Sequence, residues 1–226
     1  VRSGAIGAAL AGTNALSKST AGSVTLSGAN SFSGGIAVSA GTLTAGSNSA
    51  LGTGAASITG GTLAIASGVT IGNTITVGAS GFLTGTGSAA FSGTVNGTGT
   101  LAGTLTFASG GTIAPGNSPG LIANTGNLTF SSGSIYAWQL GDFTTDGAGT
   151  NYDQIVNSGS ITLNSGAIFA PAFIDSATAP NFGNLFWNTD RSWTVIAYSG
   201  GTIGGRSTTR LGVAWAPSPR SSTTTS

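Results

Sequence analysis

The sequence predicts an all-β chain wound into a right-handed parallel β-helix, a solenoid with three short strands in each coil. Glycine supplies 40 of the 226 residues, and each glycine inside a helix costs about 1 kcal/mol relative to alanine, so helices are minor. No window shows sustained apolar spacing at i, i+3 and i+4. Short β-prone runs recur instead, each ended by a Gly, Ser or Asn corner.

In chain order, the runs begin with Val24, Thr25, Leu26, then Ile36, Ala37, Val38, and Thr42, Leu43, Thr44. They continue as Thr62 to Ile65, Val69 to Ile71, Ile75 to Val77, Phe82 with Leu83, and Ala90 with Phe91. Thr104 to Phe107, Thr112 to Ala114 and Leu128 to Phe130 complete the series. Three such runs with their corners make a coil of roughly 20 residues, a period of stacked repeats. A β-sandwich would show longer strands and turns every 8 to 12 residues or so. Some ten coils at an inter-strand spacing of about 4.8 Å predict a rod of about 50 Å. Inside it, apolar side chains stack from coil to coil, while Thr and Ser form columns outside.

Composition divides the chain into three parts. Residues 1–130 are the regular Gly/Ser/Thr-rich coils. Residues 131–216 are a wider β section that continues or caps the solenoid, because 13 of the 17 aromatic residues lie from Phe130 onward, with all five aspartates and four of the five arginines. Longer strands are expected near Ile135 to Leu140 and Trp193 to Tyr198. Residues 217–226, rich in Pro, Ser and Thr, are a flexible tail.

Charge restricts the partners. Six basic residues face five aspartates, Glu, His, Cys and Met are absent, and residues 19–141 carry no formal charge. Nucleic-acid binding needs clustered Lys or Arg to displace phosphate counterions, so it is not expected. Membrane insertion of this segment is not expected either, since no apolar run approaches about 20 residues. Val1 reads as a processed start, consistent with a removed export signal.

Two motifs and the expected fold itself invite a chemical reading. Gly116, Ser118 and Gly120 match the Gly-x-Ser-x-Gly nucleophile elbow, but no His is available as base, and Pro119 removes the N–H that would serve an oxyanion hole. Asp142, Thr144, Asp146, Thr150 and Asp153, with Gly147, occupy calcium-loop positions. There Asp replaces the bidentate Glu, no helix flanks the loop, and a strand connection in which Asp153 accepts backbone amide hydrogens is the expected role. Parallel β-helices also host polysaccharide lyases, which need clustered acids, a metal and a base; the central coils have none of these. The chain is therefore expected to be no enzyme, to lack catalytic, cofactor and metal-binding residues, and to carry no cofactor.

What remains is surface. Thr42 with Thr44, and Thr104 with Thr106, place hydroxyls two apart on a strand and would stack into flat columns able to meet a glycan or ice. Trp187 and Trp193 are candidates for sugar stacking, with filling of a wide cap as the simpler use. Open coil ends template strands unless charge, Pro or a cap blocks them. The segment from Ile6 to Leu16 is small, apolar and uncharged, so the expected partner is a second copy, joined end to end or by strand exchange.

The segment from Leu16 to Gly54 resembles the passenger-associated strand repeat of bacterial autotransporters. The resemblance rests on Lys18, the Val24 to Phe32 run with Asn30, the Ser33, Gly34, Gly35 turn, and Gly41, Thr42, Leu43. The run from Gly111 to Gly120 and the segment Asn151 to Ile155 are similar to later segments of the same group. The resemblance implies an exported parallel β-helix at the bacterial surface, with no catalytic residues to carry over. It also leads one to expect that the family's membrane barrel is cleaved off or replaced by another anchoring route. The expected function is a secreted, non-catalytic structural protein, either a fibre or matrix subunit or the rod of an adhesin. The alternative is a carbohydrate- or ice-binding module that uses the Thr columns or the C-terminal aromatics.

Overall fold

A computed structural model describes residues 3–116, 119–174, 177, 184–199 and 210–215. The tail expected at 217–226 lies outside them, as do Asn117 and Ser118. The first coils contribute two strands each: β1 (Gly4–Ile6) and β2 (Leu16–Lys18), β3 (Ser23–Leu26) and β4 (Ile36–Val38), and β5 (Thr42–Ala45) and β6 (Ala56–Ile58). A third strand enters with β7 (Thr62–Ile65), β8 (Thr70–Ile71) and β9 (Ile75–Val77), and recurs in β10 (Phe82–Gly85), β11 (Ala90–Phe91) and β12 (Thr94–Gly97). Then come β13 (Thr100–Phe107), β14 (Thr112–Pro115), β15 (Leu121–Asn124), β16 (Asn127–Phe130) and β17 (Ile135–Leu140). The C-terminal strands are β18 (Gln154–Asn157), β19 (Ile161–Leu163), β20 (Ile168–Phe173), β21 (Arg191–Tyr198) and β22 (Arg210–Trp215).

These strands stack into three parallel faces. The first runs β1, β3, β5, β7, β10, β13, β15, β18, β21, the second β2, β4, β6, β9, β12, β14, β17, β20, and the third β8, β11, β13, β16, β19. The long β13 belongs to two faces because it bends at Gly103, whose φ is 76°. At that corner the chain admits only glycine. A Cβ on Gly126 would strike the Gly103 carbonyl, and one on Gly103 would strike that of Gly85.

Where a third strand is expected in the first coils, residues 27–35 run as irregular chain. An amide side chain holds the spacing there: Asn30 Oδ1 accepts from the Leu10 N–H (2.8 Å) and its Nδ2 donates to the Ala50 carbonyl (2.7 Å). Asn30 thus ties its own coil to those on either side.

Within each strand, period-2 alternation sends one set of side chains inward. On the first face Leu43, Leu63, Leu83 and Leu101 form one inward column. On the third, Ile71, Phe91, Phe107 and Phe130 form another, with successive phenyl rings 5.6 Å apart. The leucine column then changes chemistry. Asn124 and Asn157 take the next two inward positions; the Asn124 amide donates to Asn157 Oδ1 and to the Gly126 carbonyl (2.5 Å), and Asn157 donates to the Gly159 carbonyl (2.5 Å). Each amide therefore closes the tight corner after its own strand. Asn124 Oδ1 is left without a hydrogen bond.

The repeat is regular and then widens. Thr42 pairs with Thr62 and Thr62 with Phe82, a 20-residue coil. The step from Leu121 to Gln154 takes 33 residues, and that from Ile155 to Ile196 takes 41. This corrects the expected rod length, because the added residues lengthen loops and not the axis. Nine parallel strands on the first face span about 38 Å at about 4.8 Å per step, short of the expected 50 Å.

Phe107 sits between two rings at no exposure. Phe107→Ala should lower unfolding stability by about 3–5 kcal/mol, whereas Thr106→Ala on the outer side of the same strand should change it by less than about 0.5 kcal/mol, both read from urea denaturation.

Candidate functional site

The widest coil contains the residues proposed for a calcium loop, and the fold separates them. Asp142 and Asp146 are exposed, and Asp142 Oδ1 accepts from the adjacent Phe143 N–H (2.7 Å). Asp153 points into the interior with no exposed surface. Among the described residues no three acidic, His or Cys side chains gather into a metal-binding group.

Asp153 instead fills a gap in the backbone pairing. Among the described residues, β17 has no strand above it beyond the short β14 pairing. The Asp153 carboxylate supplies the missing acceptors: Oδ1 takes the Gly120 N–H (2.7 Å) and Oδ2 the Gln139 N–H (2.9 Å). Its main chain finishes the join, with Asp153 N donating to the Gln139 carbonyl (2.9 Å) and the Asp153 carbonyl accepting Trp138 Nε1 (2.7 Å). Burial pushes the carboxyl pKa up to about 7, against the opposing pull of the two amide hydrogen bonds. Tyr136 nearby is raised well above 10, first by burial and then by the Asp153 charge, and its hydroxyl donates to the Val195 carbonyl (2.8 Å).

Gly116 and Gly120 of the elbow-like motif are packed against each other, leaving no room for a Cβ on either. Gly120 is tied to Asp153. Both glycines thus serve the corner between β14 and β15.

The C-terminal aromatics turn inward. Trp187 and Trp193 are 2 % and 3 % exposed, which removes them as sugar-stacking platforms. Their rings join Trp138, Phe143, Phe173 and Phe186 in a continuous cluster with centroids 5.0–6.3 Å apart. Trp193 Nε1 reaches across the wide coil to the Thr144 carbonyl (2.7 Å). The aromatic surplus therefore fills an interior that the smaller aliphatic residues of the early coils would leave hollow.

The outward columns are mixed. On the first face Ser23, Thr42, Thr62, Phe82, Thr100 and Ala123 stack in register, with Thr25, Thr44, Ala64, Thr84 and Ala102 beside them. Phe82 breaks the first Thr column and Ala64 the second. On the third face Thr106, Thr129 and Thr162 are continuous. Phe82 is 48 % exposed. The sequence pattern pairs it with Leu83 as core, but period 2 can bury only one of two adjacent residues.

The two ends of the solenoid differ. At the N-terminal end, among the described residues, β1 pairs only with β3, and β2 only with β4. Ile6, Leu16, Val24, Leu26 and Leu43 line an open cavity of about 120 Å³ there. Lys18 occupies the first inward position above Val38 and Ile58, and its buried ammonium donates to the carbonyls of Thr20 and Ala40.

At the C-terminal end the first face is covered by β22, which pairs antiparallel to β21. Among the described residues the second face ends on β20. Ile168 N–H donates to the Ser134 carbonyl (2.8 Å) and Ile174 N–H to that of Leu140 (2.9 Å), so alternation turns Phe169, Pro171 and Phe173 to the outer edge. Pro171 has no N–H to offer an added strand.

Residues 16–45, the span from β2 to β5, match the family model of the passenger-associated-transport-repeat. The match stops short of the segments at 111–120 and 151–155. A search of curated proteins gives no significant match.

The raised Asp153 pKa fixes the sign of a pH effect. The folded chain holds this proton up to about pH 7 while the unfolded chain releases it near 3.9, so stability is full below about pH 4 and falls as pH rises toward 7, by up to about 4 kcal/mol. Asp153→Asn should flatten that slope in thermal melts between pH 4 and 8.

Proposed function

We propose that this chain is a non-catalytic structural protein exported to the bacterial surface, a β-solenoid rod that works through its exposed faces. The observation that carries the reading is the continuity of residues 16–45 with the rest of the solenoid. The matched repeat supplies four strands, and later coils extend the same faces in the same register. A repeat named for passenger transport and built into the rod in this way supports export of the rod.

Two further observations fit it. The polar groups that pierce the core, Asn30, Asn124, Asn157 and Asp153, are engaged with backbone or with one another, so they hold coils together. The outer surface of the central coils carries no charge with which to grip an ionic substrate. Display of a stable, neutral surface is the role these properties suit, whether in a matrix of like rods or as an adhesin stalk. The covered first face and Pro171 weigh against head-to-tail addition at the C-terminal end.

Antibody labelling of intact, unpermeabilised cells of the source organism tests the proposal. Surface signal comparable with that from permeabilised cells is the expected outcome. Signal confined to permeabilised cells would overturn it.

A further inference from the structure

We infer that the cavity at the C-terminal end of the phenylalanine column is a binding site for a small, uncharged aromatic molecule of one or two fused rings. The inference goes beyond the structural reading above, and surface labelling decides that reading without it.

The inward column of the third face leads to the site. Phe91, Phe107 and Phe130 stack on consecutive rungs with centroids 5.6 Å apart, within the range of favourable ring pairs. At the next rung Leu163 stands where a fourth ring would lie, and among the described residues no strand of this face follows it. Leu163 is 38 % exposed although its position is inward, and Ile168 at the adjoining corner is 48 % exposed. The column therefore ends open.

The opening is a cavity of about 130 Å³ walled by Phe130, Tyr136, Leu163, Ile168, Phe169 and Ile196. Three of these six are rings, and Phe169 meets Tyr136 edge to face at 5.6 Å. The Tyr136 hydroxyl is already given to the Val195 carbonyl, so its ring alone faces a ligand. Apolar cavities of about 150 Å³ stay dry and take benzene, which sets the size that fits here. Asn164 brings the one side-chain amide of the lining, suited to a single hydroxyl or N–H on the ring.

Chemistry narrows the ligand. No charged side chain is among the lining residues, so a carboxylate or ammonium would lose its water without gaining a counter-charge. A flexible acyl chain gives up rotamer freedom that a rigid ring never had, and only a ring finds face and edge partners in the wall. Space for one ring system leaves none for a peptide main chain, which commits the site to a free molecule. The cavity at the opposite end is an internal contrast: about 120 Å³, lined by aliphatic residues with Ser17 and Lys18, and without a ring.

Indole is the probe, titrated into the full chain carrying labelled methyl groups and followed by NMR. The Leu163, Ile168 and Ile196 methyl signals should shift together and saturate with a dissociation constant on the order of 1 mM, as suits a ligand of so few atoms. The Ile6 and Leu26 methyls at the other end should not move. Leu163→Phe supplies the fourth ring of the column and should weaken indole at least tenfold, read at Ile168 and Ile196. Thr162→Ala, outward on the same strand, should leave binding unchanged. If Leu163→Phe does not fold, the wild-type shifts still decide. Equal shifts at both ends, shifts that never saturate, or hexanol bound as tightly as indole would overturn the site. So would a tryptophan-containing peptide amide bound tenfold tighter than indole, which would assign the opening to a partner's side chain.

Discussion

On the paired strands of this solenoid, each inward side chain rests on the side chain at the same position one coil away, at the spacing of two hydrogen-bonded strands. That constraint governs the rest. A column accepts only residues whose size and polarity suit both neighbours, so leucine follows leucine, phenylalanine follows phenylalanine, and asparagine, once admitted at Asn124, is followed by Asn157. An amide alone in that column would leave a donor and an acceptor buried at a cost of about 1–3 kcal/mol each. Two stacked amides leave only the acceptor of Asn124 without a partner in this pair.

The regular coils were legible because period 2 and a 20-residue repeat both lie in the local sequence. Leu63 and Leu83 announce themselves as inward by the threonines around them. Three features were not legible, each for a physical reason. The strand missing near residues 27–35 is replaced by a side-chain amide, and no propensity scale distinguishes an Asn that bridges coils from one that ends a turn. The lengths of the coils after Phe130, as opposed to the wider section itself, depend on which loops close between strands 33 and 41 residues apart, and loops carry no period. The antiparallel β22 is set by tertiary pairing with β21, not by its own residues.

The candidate sites show the same division. Asp153 was rightly expected to hold backbone amides. The atoms it holds, on Gly120 and Gln139, lie 33 and 14 residues away in sequence, and only the stacked coils bring them to one carboxylate. Trp187 and Trp193 were ambiguous between surface and core, since aromatic content says nothing about which side of a wide coil a ring faces. Phe82 was misread because apolar character outweighed alternation.

The scarcity of charge has a consequence for how such a chain survives and how it is seen. Trypsin-like proteases cut after Lys or Arg, and between Lys18 and Arg191 the chain contains neither. Lys18 is itself buried. Residues 19–190 therefore offer such enzymes no site at all. In a tryptic digest the chain would also yield a single central fragment, running from Ser19 to Arg191, too long for routine mass spectrometry, so a standard proteomic survey would see this chain only through shorter peptides outside that fragment, such as residues 192–206.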